Sequence, residues 1–451
     1  MKIDVVRSLL LGATLVASAT LAAAQAAPGP AQPAAGLPEQ LDLETAVRYA
    51  LDHNYTILQA REVIRQQEGL IMQVRGQVIP NVGATGGYLR NAAAISTIIP
   101  AENQEWTVLL KATQAIYAGG GIDASIRNAK SLRDAAAFDL QTTIDTALLD
   151  VRTKFYNVLL GREQVRVQEE NVQLYQRQLT DARHQFHAGT VSNFEVLRAQ
   201  VSLANAQPDL ITARNNYRLA IEQLRQSLGV PSGPAGGETH FPEVIGTLAY
   251  TPESIDLDSA LATAHDRRPE LLRQGKVKNA NAEEVTVARS NYYPNLSAYG
   301  GYEFGGIGLA QGGSFNANGW EVGLQAAWSI FDGHSTAGRV VQAKSVLRQS
   351  DLAYSSEELA VDVDVRQALS TLQDATELVQ ASQKTVEEAA EALRLANARY
   401  HAGSATQLDV LTSQVSLTQA KTNQLQAYYT YSVALATLHK AMGLTDALVA
   451  R

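Results

Sequence analysis

The sequence predicts a mainly α protein with a small β part, made by writing one unit of helices and a hairpin twice. Three observations carry this. Landmarks recur at a constant offset of 214 residues. Two segments of some 66 residues run almost without a helix breaker and carry an apolar heptad. A pair of short stretches with period-two polarity precedes each of them.

The offset is the strongest signal. Pro80-Asn81 returns as Pro294-Asn295, Gly86-Gly87-Tyr88 as Gly300-Gly301-Tyr302, and Trp106 as Trp320. His187-Ala188-Gly189 returns as His401-Ala402-Gly403, and Gln200-Val201-Ser202-Leu203 as Gln414-Val415-Ser416-Leu417. The chain is therefore a tandem duplication, 41–229 and 255–443, joined by a Pro/Gly-rich linker over 230–254 and followed by a short tail, 444–451.

Composition excludes several classes. The 451 residues hold 37 Lys and Arg against 45 Asp and Glu, a net charge of −8. Nucleic acid is no partner for such a surface, because phosphate binding needs a basic face. There is no cysteine, which removes disulfides, thiolate metal sites and a cysteine nucleophile. At the N-terminus, Lys2 and Arg7 precede an apolar stretch, Ser8–Leu21, and two Ala-x-Ala patterns end at Ala24 and Ala26. This reads as a secretory signal peptide over 1–26, with a Pro/Ala-rich mobile leader over 27–40. No later run of 18 apolar residues exists, so no transmembrane helix is expected.

The elements follow in order. In the first repeat a helix is expected up to the residues before Pro80, then a hairpin over 82–117, a long helix over 122–187 and a returning helix over 193–228. The second repeat gives a helix, a hairpin over 296–331 and helices over 336–401 and 407–442. Ile144, Val151, Val158, Val165, Val172, Leu179 and Phe186 stand seven apart, as do Val365, Leu372, Val379, Val386, Leu393 and Tyr400. A seven-residue apolar period imposes left-handed coiled-coil packing. Small residues three positions on, such as Ala368 and Ala375, allow close helix approach.

The strands are the informative part. Trp106, Val108 and Leu110 alternate with Thr107, Leu109 and Lys111. In the second copy Trp320, Val322, Leu324, Trp328 and Ile330 fall on one face, opposite Glu321, Gly323 and Gln325. Period two over about ten residues with aromatics near the ends suits a strand facing lipid. These eight apolar residues are the candidate lipid contacts. A hairpin in lipid must close into a barrel. Two hairpins supply four strands, and known spanning barrels use about eight or more, so a spanning chain must oligomerise.

Together these residues resemble the TolC-type outer membrane factor family. The likeness covers residues 41–443. It rests on the duplication, on Pro-Asn before each hairpin, and on IYAGG (Ile116–Gly120) and IFDGH (Ile330–His334) after it. It rests most on FHAGTVSNFEVLRAQVSL (Phe186–Leu203) and YHAGSATQLDVLTSQVSL (Tyr400–Leu417). The resemblance implies a homotrimer with a twelve-stranded barrel in the outer membrane and a coiled-coil α-barrel crossing the periplasm. It implies a periplasmic adaptor and an inner-membrane pump as partners, serving efflux or type I secretion. Ala188, Gly189 and Thr190, with Ala402, Gly403 and Ser404, match the turns that meet the adaptor. Asp409 matches an acidic ring at the entrance, with Glu195 its counterpart, and Tyr400 a residue holding the entrance closed, with Phe186 in the matching place of the first repeat. Ala405 and Thr412 depart from the pattern, standing where an arginine and a second aspartate can occur.

Other chemistry is poorly supported. His187 and His401 are repeat equivalents, but solvated residues beside a turn explain them better than a gate sensitive to protons or metal. Gly119-Gly120-Gly121 lacks the Lys-Ser/Thr of a phosphate loop. Asp362/Asp364 and Glu387/Glu388 read as solvated surface or lumen lining, and no nucleophile elbow is present. The expectation is a passive export duct, not an enzyme, with no cofactor. The alternative is a periplasmic coiled-coil scaffold or adaptor that never enters lipid.

Overall fold

The computed structural model describes residues 37–91, 103–231, 241–309 and 314–444. The signal peptide, most of the leader, the tail beyond 444 and the hairpin tips lie outside the described residues. The first repeat contains β1 (Gln40–Leu41), α1 (Leu43–His53), α2 (Tyr55–Arg75), β2 (Asn81–Asn91), β3 (Asn103–Ala118), α3 (Gly121–His187) and α4 (Asn193–Leu228). After β4 (Glu243–Val244) come α5 (Leu257–Arg267), α6 (Pro269–Ser290), β5 (Asn295–Leu309), β6 (Ser314–Ala327), α7 (Ser335–His401) and α8 (Gln407–Ala441).

The long helices α3 and α7 have 67 residues each, about 100 Å at ~1.5 Å per residue. Their heptads are the cores: Val151, Val158, Val172 and Leu179 on α3, and Val365, Leu372 and Val379 on α7, are all buried. The returning helices answer with small residues. Ala199, Ala206, Ala213 and Ala220 on α4, and Ala420, Ala427, Ala434 and Ala441 on α8, are seven apart and buried. Alanine at every second turn lets the helix axes approach, and the larger residues of the long helix fill the space.

The helix expected before Pro80 is interrupted at Asn54, and its copy at Arg268. Both are extended caps, and the reason is end-to-end stacking. Asn54 Oδ1 accepts from the backbone N–H groups of Thr56 and Ile57, while its Nδ2 donates to Ser227 O at the end of α4, 2.7 Å away. At the equivalent place Arg268 Nη1 donates to Ala441 O at the end of α8, 3.1 Å. The glycines that end α4 and α8, Gly229 (φ 74°) and Gly443 (φ 67°), sit against the same junctions. A Cβ on Gly229 would lie 2.3 Å from His53 O. So α2 stacks on α4 and α6 on α8, each pair continuing as one column beside a long helix.

The mobile leader expected over 27–40 ends earlier. Gln40–Leu41 pairs in parallel with Glu243–Val244, Leu41 is fully buried, and Leu37 packs on the same core. An apolar Leu at each end of Leu37–Leu41 finds a hydrophobic shelf, which a free leader would leave in water.

Four strands form one antiparallel sheet in the order β2-β3-β5-β6. Trp328 and Ile330, read from the sequence as strand residues, lie past its end. The last β5–β6 pair is Asn295↔Ala327, and the next residue on β5's side is Pro294, which has no N–H to continue the ladder. Trp328 instead donates its indole N–H to Tyr292 O, 3.1 Å.

Candidate functional site: an apolar sheet face and two helical turns

Register decides what the sheet can do, because directly opposed residues share a face. Tyr88 opposes Trp106, Leu110 opposes Tyr302, Tyr302 opposes Trp320, and Gly300 opposes Val322. Val82, Tyr88, Trp106, Val108, Leu110, Tyr302, Phe304, Trp320, Val322 and Leu324 therefore form one continuous apolar face over all four strands. Trp320, Val322 and Leu324 are 69–77% exposed. Trp320 and Trp328 are eight residues apart, about 27 Å of extended chain. At a tilt of about 40° this is ~21 Å, close to the apolar band of an outer-membrane barrel. The opposite face carries Thr107, Lys111, Thr113, Tyr299, Glu303, Glu321 and Gln325. No helix among the described residues is long and apolar enough to cross a membrane.

The two turns at the far ends of α3 and α7 are built alike. Thr190 N–H and Oγ1 donate to Gln185 O at 3.0 and 2.9 Å. Ser404 N–H and Oγ donate to Arg399 O at 2.9 and 3.2 Å. Gly189 (φ 72°) and Gly403 (φ 74°) take the left-handed place that closes a helix. Ala188, Gly189, Thr190, Ala402, Gly403 and Ser404 are all exposed, and nothing lies within 4 Å of a Cβ built on either glycine.

The residues expected at the entrance divide into different tasks. Asp409 is engaged in a capping box: its Oδ2 accepts from Thr406 N–H and Oγ1, both 2.8 Å. Those hydrogen bonds, backbone first, hold its carboxyl below the usual range. Glu195, its repeat partner, makes no such cap and faces Arg198, 3.6 Å away. Tyr400 Oη donates to Gln185 Oε1, 3.3 Å, joining the end of α7 to the end of α3. Burial, then the charge of Glu195, pushes its phenol up. Phe186 is 41% exposed, with its ring 6.0 Å from that of His187. Further up, Asn171 Oδ1 accepts from Gln414 Nε2 (3.2 Å) and Thr418 Oγ1 (3.3 Å), and Lys421 meets Glu170 at 3.0 Å. These polar links tie α3 to α8, the seam between the repeats. Sequence reading missed them, as it missed Gln185 and Arg198; a polar Asn next to a heptad core position was the available clue.

Asp362 and Asp364 are not free surface. Asp362 Oδ1 accepts from His265 Nε2 at 2.8 Å, fixing α5 on α7, and Asp364 accepts from Arg268 Nη2 at 2.8 Å. Among the described residues no group of His, Asp and Glu could hold a metal ion.

Residues 46–230 and 260–444 each match the family described as outer membrane efflux protein. The chain is 24% identical to outer membrane protein TolC of Escherichia coli (strain K12) over 395 residues, 83% of this chain and 76% of that one. It is 26% identical to the cobalt-zinc-cadmium resistance protein CzcC of Cupriavidus metallidurans over 409 residues, 89% and 90% of the two chains. Among solved structures, the outer membrane protein VceC of Vibrio cholerae superposes with a TM-score of 0.74 at 17% identity, covering 89% of this chain and 96% of that one. The outer-membrane channel OprN gives 0.75 at 19% identity, over 89% and 90%. A duplicated helical unit bearing a lipid-suited sheet, matched in both halves by one family, identifies this chain as a member of the outer membrane efflux protein family.

Proposed function

We propose that three copies of this chain form an export duct, with a twelve-stranded barrel in the outer membrane and a helical barrel reaching through the periplasm. The observation that carries this is the sheet. It has a continuous apolar face and two edge strands, β2 and β6, whose outer edges have no partner among the described residues. Neither is tolerable in a lone chain, and both are resolved when β6 of one copy pairs with β2 of the next. The helices give the same seam. Phe194, Val201 and Ile211 on α4, and Leu352, Leu359 and Leu378 on α7, are exposed apolar residues on one column and on one long helix. A periplasmic scaffold would have no use for Trp320, Val322 and Leu324 on one open face.

Transport then needs no bond chemistry. The polar sheet face lines the bore, and the turns at 188–190 and 402–404 meet an adaptor that connects to an inner-membrane pump. Small residues and open glycines there leave room for another helical hairpin. Cysteines placed at Thr190 and Ser404 are unique thiols in a chain without cysteine. Cross-linking from them should capture a periplasmic adaptor from cells, and detergent-extracted outer membrane should yield heat-modifiable trimers. Release of a monomer by salt wash would overturn the duct.

A further inference from the structure

The polar face of the sheet holds a constellation that the export reading does not explain. Lys111 on β3 and Glu321 on β6 are two strands apart, and each stands directly opposite Gly301 on β5. Two strand spacings are about 10 Å, yet Lys111 Nζ and Glu321 Oε1 meet at 3.2 Å. Gly301 offers no side chain to obstruct them. The same ammonium lies 3.9 Å from the centroid of the Tyr299 ring. Beneath that ring is Gly323, the residue directly opposite Tyr299 on β6. A Cβ on Gly323 would come within 2.7 Å of Tyr299 Cζ and Oη.

Strand side chains ordinarily stand out from the sheet. Tyr299 does not: its ring lies along the wall, on the glycine, under a cation tethered by a carboxylate. On the duct reading, on which this inference rests, that wall is the bore, and three such rings occupy one level. We propose that Tyr299, held flat by Lys111 and Glu321 over Gly323, is a residue that sets the size limit of the barrel bore. Folded against the wall, it leaves the passage open to bulky cargo. Raised from the wall, three rings would point at one another across the opening.

Ser297 provides the test. It faces the bore one pair beyond Tyr299, away from the strand tips. Ser297→Cys is therefore a unique thiol behind the ring for a reagent arriving from outside the cell. Intact cells are labelled with a small methanethiosulfonate and with the largest polymer-tethered maleimide that still reacts in this background. Gly323→Val fills the place of the ring and should lower the large-to-small labelling ratio at least threefold. Adding Tyr299→Ala to it should restore the ratio, and Tyr299→Ala alone should leave it equal to or above that of the parent. An unchanged ratio in Gly323→Val, or no restoration in the double variant, overturns the proposal. Should Gly323→Val fail to assemble, Tyr299→Ala decides, because a ratio below the parent overturns the size-limiting role. Failure of even the small reagent to reach Ser297→Cys in membranes containing the trimer overturns the duct reading itself.

Discussion

Arg268 allows the two repeats to test each other. It is 7% exposed, and three groups use its guanidinium: Glu270 (3.0 Å), Asp364 (2.8 Å) and Ala441 O (3.1 Å). Burial works against its charge, but Glu270 and Asp364 outweigh that and raise its pKa. Replacement by Leu keeps the stem and leaves two acids and a carbonyl without their donor. Removing one partner of a buried pair costs about 3–5 kcal/mol. Asp364 is 53% exposed and can be hydrated, so about 2–3 kcal/mol is expected here. Arg268→Asn instead copies the first repeat, where Asn54 reaches the equivalent carbonyl. It keeps that bond and should cost about 1 kcal/mol less than Leu. For a unit of this size about 1 kcal/mol shifts Tm by ~1 °C. Melting purified trimers at 222 nm and one scan rate should therefore rank wild type above Arg268→Asn above Arg268→Leu. If Asn is as damaging as Leu, the two junctions are not the same device and the stacking argument fails.

Gly229→Ala and Gly443→Ala force a left-handed backbone on a residue with a Cβ, at ~1–2 kcal/mol each, and the 2.3 Å approach to His53 O makes the first worse in the same melt. Val322→Arg should cost about 2–4 kcal/mol of barrel stability and reduce trimers in the outer membrane, while Gln325→Arg on the opposite face should be tolerated, as heat-modifiability on gels will report. Thr406→Ala removes the cap of α8 and should cost ~1 kcal/mol, read as faster proteolysis at the turn. Asp409 has a carboxyl pKa depressed by that same cap, so its contribution is complete above the unfolded value of about 3.9 and is lost as pH falls through the lower folded one. Asp409→Asn should therefore show its deficit at pH 7 and lose it progressively as the pH falls below the unfolded value of about 3.9.

Much of this architecture is legible in the chain. The 214-residue offset, the heptads and the alternation around Trp320 follow from residue order alone, because a helix stripe and a strand face are local periodicities. What escaped is whatever needs two distant segments at once. Nothing near Asn54 says that it caps one helix and closes another 173 residues away. The burial of Leu41 depends on Val244, and the partners of Asp362 and Asp364 lie on α5 and at the α5–α6 junction. At the turns, Thr406 and Asp409 carry a readable capping box, whereas Ser192 and Glu195 have the same spacing without forming one. Spacing permits that bond but does not decide it, and Glu195 turns instead toward Arg198, 3.6 Å away.

The unlike solutions at the two column junctions have a consequence for symmetry. Six identical half-chains could build the same tube, but every column would then respond alike to voltage, salt or a docking protein. In the proposed trimer, fusing two halves lets neutral and ionic joints alternate around the ring. Any stress that distinguishes an amide from a guanidinium can then act on three staves and spare the other three.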